Sequence, residues 1–273
     1  MNNTIGSEKN YEFEECFVAF LDVLGIKDLL KDIGYNGDLI SKIIETIKVN
    51  SKIIDANTKQ TSEYGDLDIR SFYFSDSFAF IMKKEPENLP HLFLIIRYLQ
   101  DRFWEKGFCF RGAVTLGKMY FPKKSENVLI GQGLVDAYKL ESEIAIYPRI
   151  MVSDKLVKYI RNEKISGDPF LEKKEGRLLT EGIKKDKDGV YFLDLLNKKI
   201  VRKVGEEIKQ NGSLFSIIGL DAREDNRPMI LQKVEDVVRK NLNNRKAKEK
   251  IKQKYGWLKS YLAETRKVIN NDG

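Results

Sequence analysis

Between Phe17 and Arg161, short apolar runs alternate with stretches of helical spacing, and this order restricts the fold more than any other feature. Phe17–Leu21 is continuous and apolar, as a strand buried on both faces must be. Gly25 then turns the chain. Leu39, Ile40, Ile43, Ile44 and Ile47 recur three and four apart, which predicts a helix from about Asp38 to Asp55 with these residues on one face. After a polar loop, Ile69–Phe74 and Ser77–Met82 form a strand–turn–strand pattern with Ser-Asp-Ser at the bend. Pro86 and Pro90 introduce a helix from Leu92 to Lys106, and Gly107 stops it. Cys109–Leu116 reads as the next strand, followed by Gly117 and Met119-Tyr-Phe121. An amphipathic helix opens at Gly131-Gln-Gly133 and runs toward Ser142. Arg149–Val152 is a strand, and Asp154 is expected to N-cap the helix Lys155–Arg161. The order β-α-β-β-α-β-α-β-α implies an α+β fold, a sheet with helices packed on one face.

The pattern weakens beyond this point. Residues 163–190 read as a charged loop with turn signals at Ser166-Gly-Asp-Pro169 and Lys187-Asp-Gly189, and Val190–Leu195 reads as a strand. From Arg227 the chain is helical and basic. Ile251, Tyr255, Leu258 and Leu262 make one apolar stripe, and Lys246, Lys248, Lys250, Lys252 and Lys254 crowd the other faces. No aromatic residues interleave with these lysines, so a solvated helix face is the expected reading and nucleic acid is not an expected partner. Four regions follow: a loose leader over 1–14, a main domain over 15–165, a loop-rich extension with a strand over 166–226, and a basic helical C-terminal appendage over 227–273.

Composition narrows the chemistry. The 273 residues include two cysteines, Cys16 and Cys109, each in an apolar run, which fits buried thiols in a reducing, cytoplasmic setting and not a disulfide framework. The N-terminal segment lacks the apolar core of a signal peptide, and no uncharged apolar stretch approaches the about 20 residues of a membrane span. One histidine, His91, leaves no room for histidine-based triads or histidine-rich zinc sites. Chemistry must rest on carboxylates, lysines, hydroxyls or a metal. The net charge of +7 suits an anionic ligand but is ordinary for a lysine-rich chain.

Two aspartates stand where apolar runs break, Asp22 in Phe20-Leu-Asp-Val-Leu-Gly-Ile26 and Asp76 in Phe74-Ser-Asp-Ser77. A carboxylate in such a place is costly unless a cation pairs with it. Singly, one could cap a helix and the other sit in a turn. As a pair at strand ends, they are the hard oxygen donors that a phosphate-handling Mg²⁺ or Mn²⁺ site needs.

With these two segments, Arg111-Gly-Ala-Val-Thr-Leu-Gly117, Gly131-Gln-Gly-Leu-Val-Asp-Ala-Tyr-Lys-Leu-Glu-Ser142 and Ile150-Met-Val-Ser153 occur in the order that resembles the class III nucleotide cyclase catalytic domain, over roughly residues 15–162. The resemblance implies a ferredoxin-like, cyclase-type sheet and a metal-dependent conversion of a nucleoside triphosphate to a 3′,5′-cyclic nucleotide and pyrophosphate. It implies two Mg²⁺ or Mn²⁺ ions per site, held by Asp22, Asp76 and the Val23 carbonyl. The backbone from Leu24 through Gly25 to Ile26 would hold the triphosphate at a helix N-terminus, and Arg111 would contact phosphates unless it belongs to a structural ion pair. It also implies a homodimer, with sites formed between two head-to-tail chains.

The departures from that family are equally specific. Phe72 stands where purine cyclases read the base with lysine, and Val128 aligns roughly with the base-reading aspartate of adenylate cyclases. An aromatic residue at position 72 is similar to the pyrimidine cyclases of bacterial anti-phage signalling, which make cyclic CMP or cyclic UMP; Phe72 reads equally well as strand core. The transition-state asparagine and arginine correspond to Val135 and Lys139, and Lys139 keeps the charge without the planar fork. An active cyclase acting on CTP or UTP is therefore set against a degenerate cyclase-fold protein that binds nucleotide or dimerises. A nucleic-acid-binding accessory protein using the basic tail is a third, weaker alternative.

Overall fold

The computed structural model describes residues 11–26, 41, 44, 45, 48, 68–86, 88–123, 125–162, 182–196, 227–244 and 248–271. Seven strands form one mixed sheet in the order β2-β3-β1-β4-β5-β7-β6. They are β1 Phe13–Val23, β2 Ile69–Phe74, β3 Ser77–Lys83, β4 Phe110–Tyr120, β5 Ile150–Val152, β6 Ile183–Lys185 and β7 Tyr191–Leu193. Five helices accompany them among the described residues: α1 Asn88–Glu105, α2 Gln132–Lys139, α3 Asp154–Asn162, α4 Arg227–Leu242 and α5 Glu249–Asn271. The first four strands are mutually antiparallel and stand in the ferredoxin-like order, with β1 between β3 and β4. β5 joins β4 in parallel, and β7 and β6 continue antiparallel beyond it.

The central place of β1 explains its composition. Both of its edges are paired and both of its faces are covered, so apolar side chains run without a break. Phe17, Ala19, Leu21 and Val23 enter the main core beside residues of α1, α3, α4 and α5. Cys16, Val18 and Phe20 enter a second cluster with Phe72, Ala79, Ile81, Met119 and Ala137. Each large side chain so buried, Phe17, Phe78 and Phe80 among them, contributes about 1.5–3 kcal/mol.

The α+β class matches the sequence, with one addition. Four helices gather on the main-core face, while α2 lies on the opposite face, where Ala137 packs in the second cluster. Small residues permit this second docking. A Cβ on Gly117 of β4 would stand 2.5 Å from the Cα of Gly133 in α2, and a Cβ on Gly133 would stand 2.9 Å from Val18 Cγ2. Gly117 therefore does not end the strand, and β4 runs on to Tyr120. The C-terminal helices also pack inward: Val234, Val237, Tyr255, Leu258 and Leu262 belong to the main core.

Other local expectations shift. β1 starts at Phe13, inside the expected leader, whose residues 1–10 lie outside the described ones. The helix expected over Asp38–Asp55 also lies mostly outside them; Ser41, Ile44, Glu45 and Lys48 are helical, and Ile44 is exposed rather than inward. β6 occupies residues read as loop, because pairing with β7 orders a three-residue segment that has no apolar run of its own. Arg149 draws this hairpin to the body: its guanidinium pairs with Asp186 and Asp188, while the Trp257 indole N–H of α5 donates to Asp186 at 2.6 Å.

Hydrogen bonding from Arg149 holds the Asp188 carboxyl below its ordinary value of 3.8. A depressed carboxylate stabilises the fold fully above the unfolded value and loses that contribution as pH falls through the folded value. Arg149→Met is therefore expected to flatten the acid limb of the stability curve, measured by urea unfolding from pH 7 to pH 3; an unchanged acid limb would count against the clamp.

The N-cap of α3 is Ser153, not Asp154. The Leu156 N–H donates to Ser153 Oγ at 3.2 Å, and the Thr115 hydroxyl lies 2.8 Å from the same oxygen. Asp154 is exposed in the first turn. Ser153→Ala is expected to cost about 1–2 kcal/mol, and Asp154→Ala within about 0.5 kcal/mol. Urea titration of the two variants checks the order, and the reverse order would restore Asp154 as the cap.

Candidate functional site

One row of side chains crosses the sheet near the C-terminal end of β1. Its members, in spatial order, are Phe74 of β2, Ser77 of β3, Asp22 of β1 and Arg111 of β4. Directly opposed residues share a face, so all four stand on the α2 side. The next row on that face is Phe72, Ala79, Phe20 and Ala113. Asp22 thus lies, with Ser77 and Arg111, in a polar row next to an apolar one, and it is only 8% exposed. Its burial is compensated: Ser77 Oγ donates to Oδ1 at 3.3 Å, and Arg111 Nε donates to Oδ2 at 3.3 Å.

Asp76 sits in the turn between β2 and β3 and is 5% exposed. Ser75 before it takes φ 55°, the left-handed region. Among the described residues it is the one non-glycine residue with positive φ, a conformation that costs a side chain about 1–2 kcal/mol. The Val23 N–H donates to the Asp76 carbonyl at 2.9 Å. The turn is thereby fastened by its backbone to the end of β1, the strand that carries Asp22.

The glycine turn after β1 is partly committed to the fold. The Leu24 N–H already donates to the Cys109 carbonyl at 2.8 Å, so Leu24 has no free amide for a phosphate. Gly25 takes φ 91°, which favours glycine, and Ile26 is buried in the main core. Phe72 is buried in the second cluster, which accounts for it as strand core, although it stands one row from Asp22. Val128 is exposed in the segment before α2; Val135 and Lys139 are exposed on α2 itself. Among the described residues, no contact carries Lys139 to the aspartates. Arg111 is an ion-pair residue: it is hydrogen-bonded to Asp22, and Glu141 Oε1 lies 2.6 Å from its Nε as a second ion-pair contact.

Ser77, Phe74 and Glu141 were not singled out from the sequence. Ser77 and Phe74 owe their places to strand register. Glu141 owes its place to a π-helical turn, Leu140–Ile144, that continues α2. The only hint of it was the Leu-Glu-Ser ending of the helix motif.

Both thiols are inert. Burial pushes Cys16 and Cys109 up to about 12, so neither forms a thiolate nucleophile near neutral pH. The carboxylate pair is left as the reactive feature. No group of three or more His, Cys, Asp or Glu side chains suited to a metal occurs among the described residues. Carboxylate donors nevertheless suit Mg²⁺, which is commonly held by one or two carboxylates together with water and substrate phosphates. Asp22, Asp76 and the Val23 carbonyl are the groups that would hold it.

No helix among the described residues is long and apolar enough to cross a membrane. No family model matches the chain, and no curated protein is significantly similar to it in sequence.

Proposed function

We propose that this chain is a metal-dependent nucleotide cyclase that converts a nucleoside triphosphate, CTP or UTP, to its 3′,5′-cyclic monophosphate and pyrophosphate. The observation that carries this reading is the β1–β3 pairing, which sets Asp22 against Ser77 and fastens Asp76 to the end of β1. Bound Mg²⁺ or Mn²⁺ would supply acidification of the ribose 3′-hydroxyl and neutralisation of phosphate charge. The chain's own contribution would be to present two carboxylates from the ends of paired strands of a rigid sheet. Part-buried contacts from Ser77 and Arg111 hold the Asp22 carboxylate in a fixed orientation. Phe72, which is strand core, and Val128 stand where the family reads a purine with a lysine and an aspartate, so the proposed preference for a pyrimidine rests on the absence of those two charged groups.

A homodimer belongs to this reading. Phe74 and Tyr138 both pack against Phe20, at 6.0 and 5.5 Å between ring centroids, yet remain 44% and 53% exposed. With Val135 they leave an apolar strip next to Asp22, which suits a second copy of the chain. That copy would bring Lys139, which is exposed on α2, to the substrate phosphates.

The test is incubation of the purified dimer with each of the four nucleoside triphosphates and Mn²⁺, followed by mass spectrometry. A cyclic pyrimidine product is expected; no cyclic product from any of them would overturn the enzyme. The second reading, a degenerate cyclase that binds nucleotide without chemistry, draws on the Arg111–Asp22 ion pair, which occupies one oxygen of a metal ligand. Nucleotide-induced thermal stabilisation without product would favour it.

A further inference from the structure

A cleft of about 420 Å³ opens between β6, the turn after it and α5, within the range of about 300–1,000 Å³ usual for small-molecule sites. β6 is the edge strand, three places beyond β4, and the cleft shares no lining residue with the row around Asp22. Part of its lining is a ladder of aromatic rings. Tyr147 and Trp257 stack at 5.8 Å between centroids with planes 10° apart, and Trp257 and Tyr261 at 5.3 Å and 24°. The ladder is fixed in place. The Arg149 guanidinium lies 5.2 Å from the Tyr147 ring centre and 5.8 Å from that of Trp257. The Trp257 indole N–H donates to Asp186, and the Tyr261 hydroxyl donates to Asp194. Tyr147 and Trp257 are nevertheless only half-buried, which leaves ring surface to the cleft.

The rest of the lining is basic. Lys184, Lys185 and Lys187 reach the cleft from β6 and its turn. Lys184 Nζ and Lys187 Nζ lie 3.1 and 3.6 Å from Glu264, so two ammonium groups share one carboxylate. Asp186, the other acid of the lining, is paired with Arg149. We infer that this cleft binds a nucleotide, its base stacked on the ring ladder and its phosphate held by Lys184 and Lys187. Stacking on aromatic side chains accepts any base, because every base has a π-face. Lysine holds phosphate as a point charge, and a phosphate's three terminal oxygens serve two ammonium groups better than one shared carboxylate does. The exchange costs little, since exposed Lys–Glu pairs contribute little free energy. Gln253 and Ser260 of α5 add amide and hydroxyl groups at the cleft for a base edge. The site requires no divalent cation and is independent of the cyclase reading.

The experiment is equilibrium binding of CMP and of AMP to the full chain in EDTA, read from Trp257 fluorescence in a Trp104→Phe background. The chain has two tryptophans, Trp104 and Trp257, so this background makes the cleft the only source of indole emission. Both nucleotides are expected to quench it saturably, and Asp22→Asn is expected to leave their affinity unchanged, because Asp22 lies outside the cleft. Lys184→Gln combined with Lys187→Gln is expected to weaken both about tenfold, the loss of one charge-assisted hydrogen bond. Glu264→Gln is expected to tighten both about threefold, because it releases the two lysines from an exposed pair; a merely structural Glu264 would not do so. Cytidine and inorganic phosphate, the two halves of the ligand, should each bind more weakly than CMP. The inference is overturned by no saturable quenching at millimolar nucleotide, by phosphate or cytidine binding as tightly as CMP, or by affinities indifferent to the lysine pair. Unchanged or weaker binding in Glu264→Gln overturns it too, and so does loss of CMP affinity in Asp22→Asn, which would place the nucleotide at β1. If Trp104→Phe does not fold, calorimetric titration of the wild type and the Lys184, Lys187 and Glu264 variants in EDTA decides on the same comparisons. None of these readouts uses cyclic product, so this site and the cyclase reading can each fail alone.

Discussion

Asp22→Asn and Asp76→Asn are each expected, on the proposed cyclase reading, to lower Mn²⁺-dependent cyclic nucleotide formation by about a thousandfold or more. The size follows from the role. Metal-held charge stabilisation contributes several kcal/mol to a phosphoryl transition state, and each 1.36 kcal/mol is about tenfold in rate. The substitutions preserve shape and remove one negative charge. In Asp22→Asn, Arg111 keeps its partner Glu141, so no buried cation is abandoned. In Asp76→Asn the backbone bond from Val23 to the residue 76 carbonyl is untouched. Both variants should therefore unfold near the wild-type temperature, and product measured by mass spectrometry separates lost chemistry from lost fold. A folded variant of either kind with a near wild-type rate would remove that aspartate from the metal site.

Gly117→Val is expected to destabilise the protein by about 3 kcal/mol, the upper end of ordinary overpacking costs. A Cβ at position 117 would meet the backbone of Gly133 at 2.5 Å, and backbone cannot rotate aside as a side chain can. The relief available is movement of α2 off the sheet. That movement opens the second cluster around Val18, Phe20 and Ala137, and it withdraws Glu141 from Arg111. The loss of stability is read from urea unfolding. Wild-type stability would mean that α2 is not held by this glycine contact.

The strands that carry the aspartates were legible because each is a short apolar run bounded by turn residues, and burial on both faces leaves little choice of side chain. That the turn carrying Asp76 meets the end of β1 was legible only conditionally, on β1 and β3 being neighbours. Arg111 opposite Asp22 was not legible, since a pairing partner is fixed by register across 89 residues of chain and not by local pattern. The cap of α3 was missed by one residue because Ser153 and Asp154 are both good caps, and the choice between them fell to the Thr115 hydroxyl on the neighbouring strand. Leu24 was expected to offer its amide to a phosphate, but the Cys109 carbonyl already takes it. β6 was read as loop because its stability comes from pairing alone.

By itself, the sequence determined the alternation of strands and helices, the α+β class, the inert buried thiols and the two carboxylates at strand ends. All of these follow from periodicity, burial and residue chemistry within a few positions. Tertiary structure decided the register that lines up Phe74, Ser77, Asp22 and Arg111, the docking of α2 on the second face through Gly117 and Gly133, and the inward turn of Glu141. Those depend on contacts between segments far apart in the chain, where steric fit and charge compensation are settled only when the layers meet.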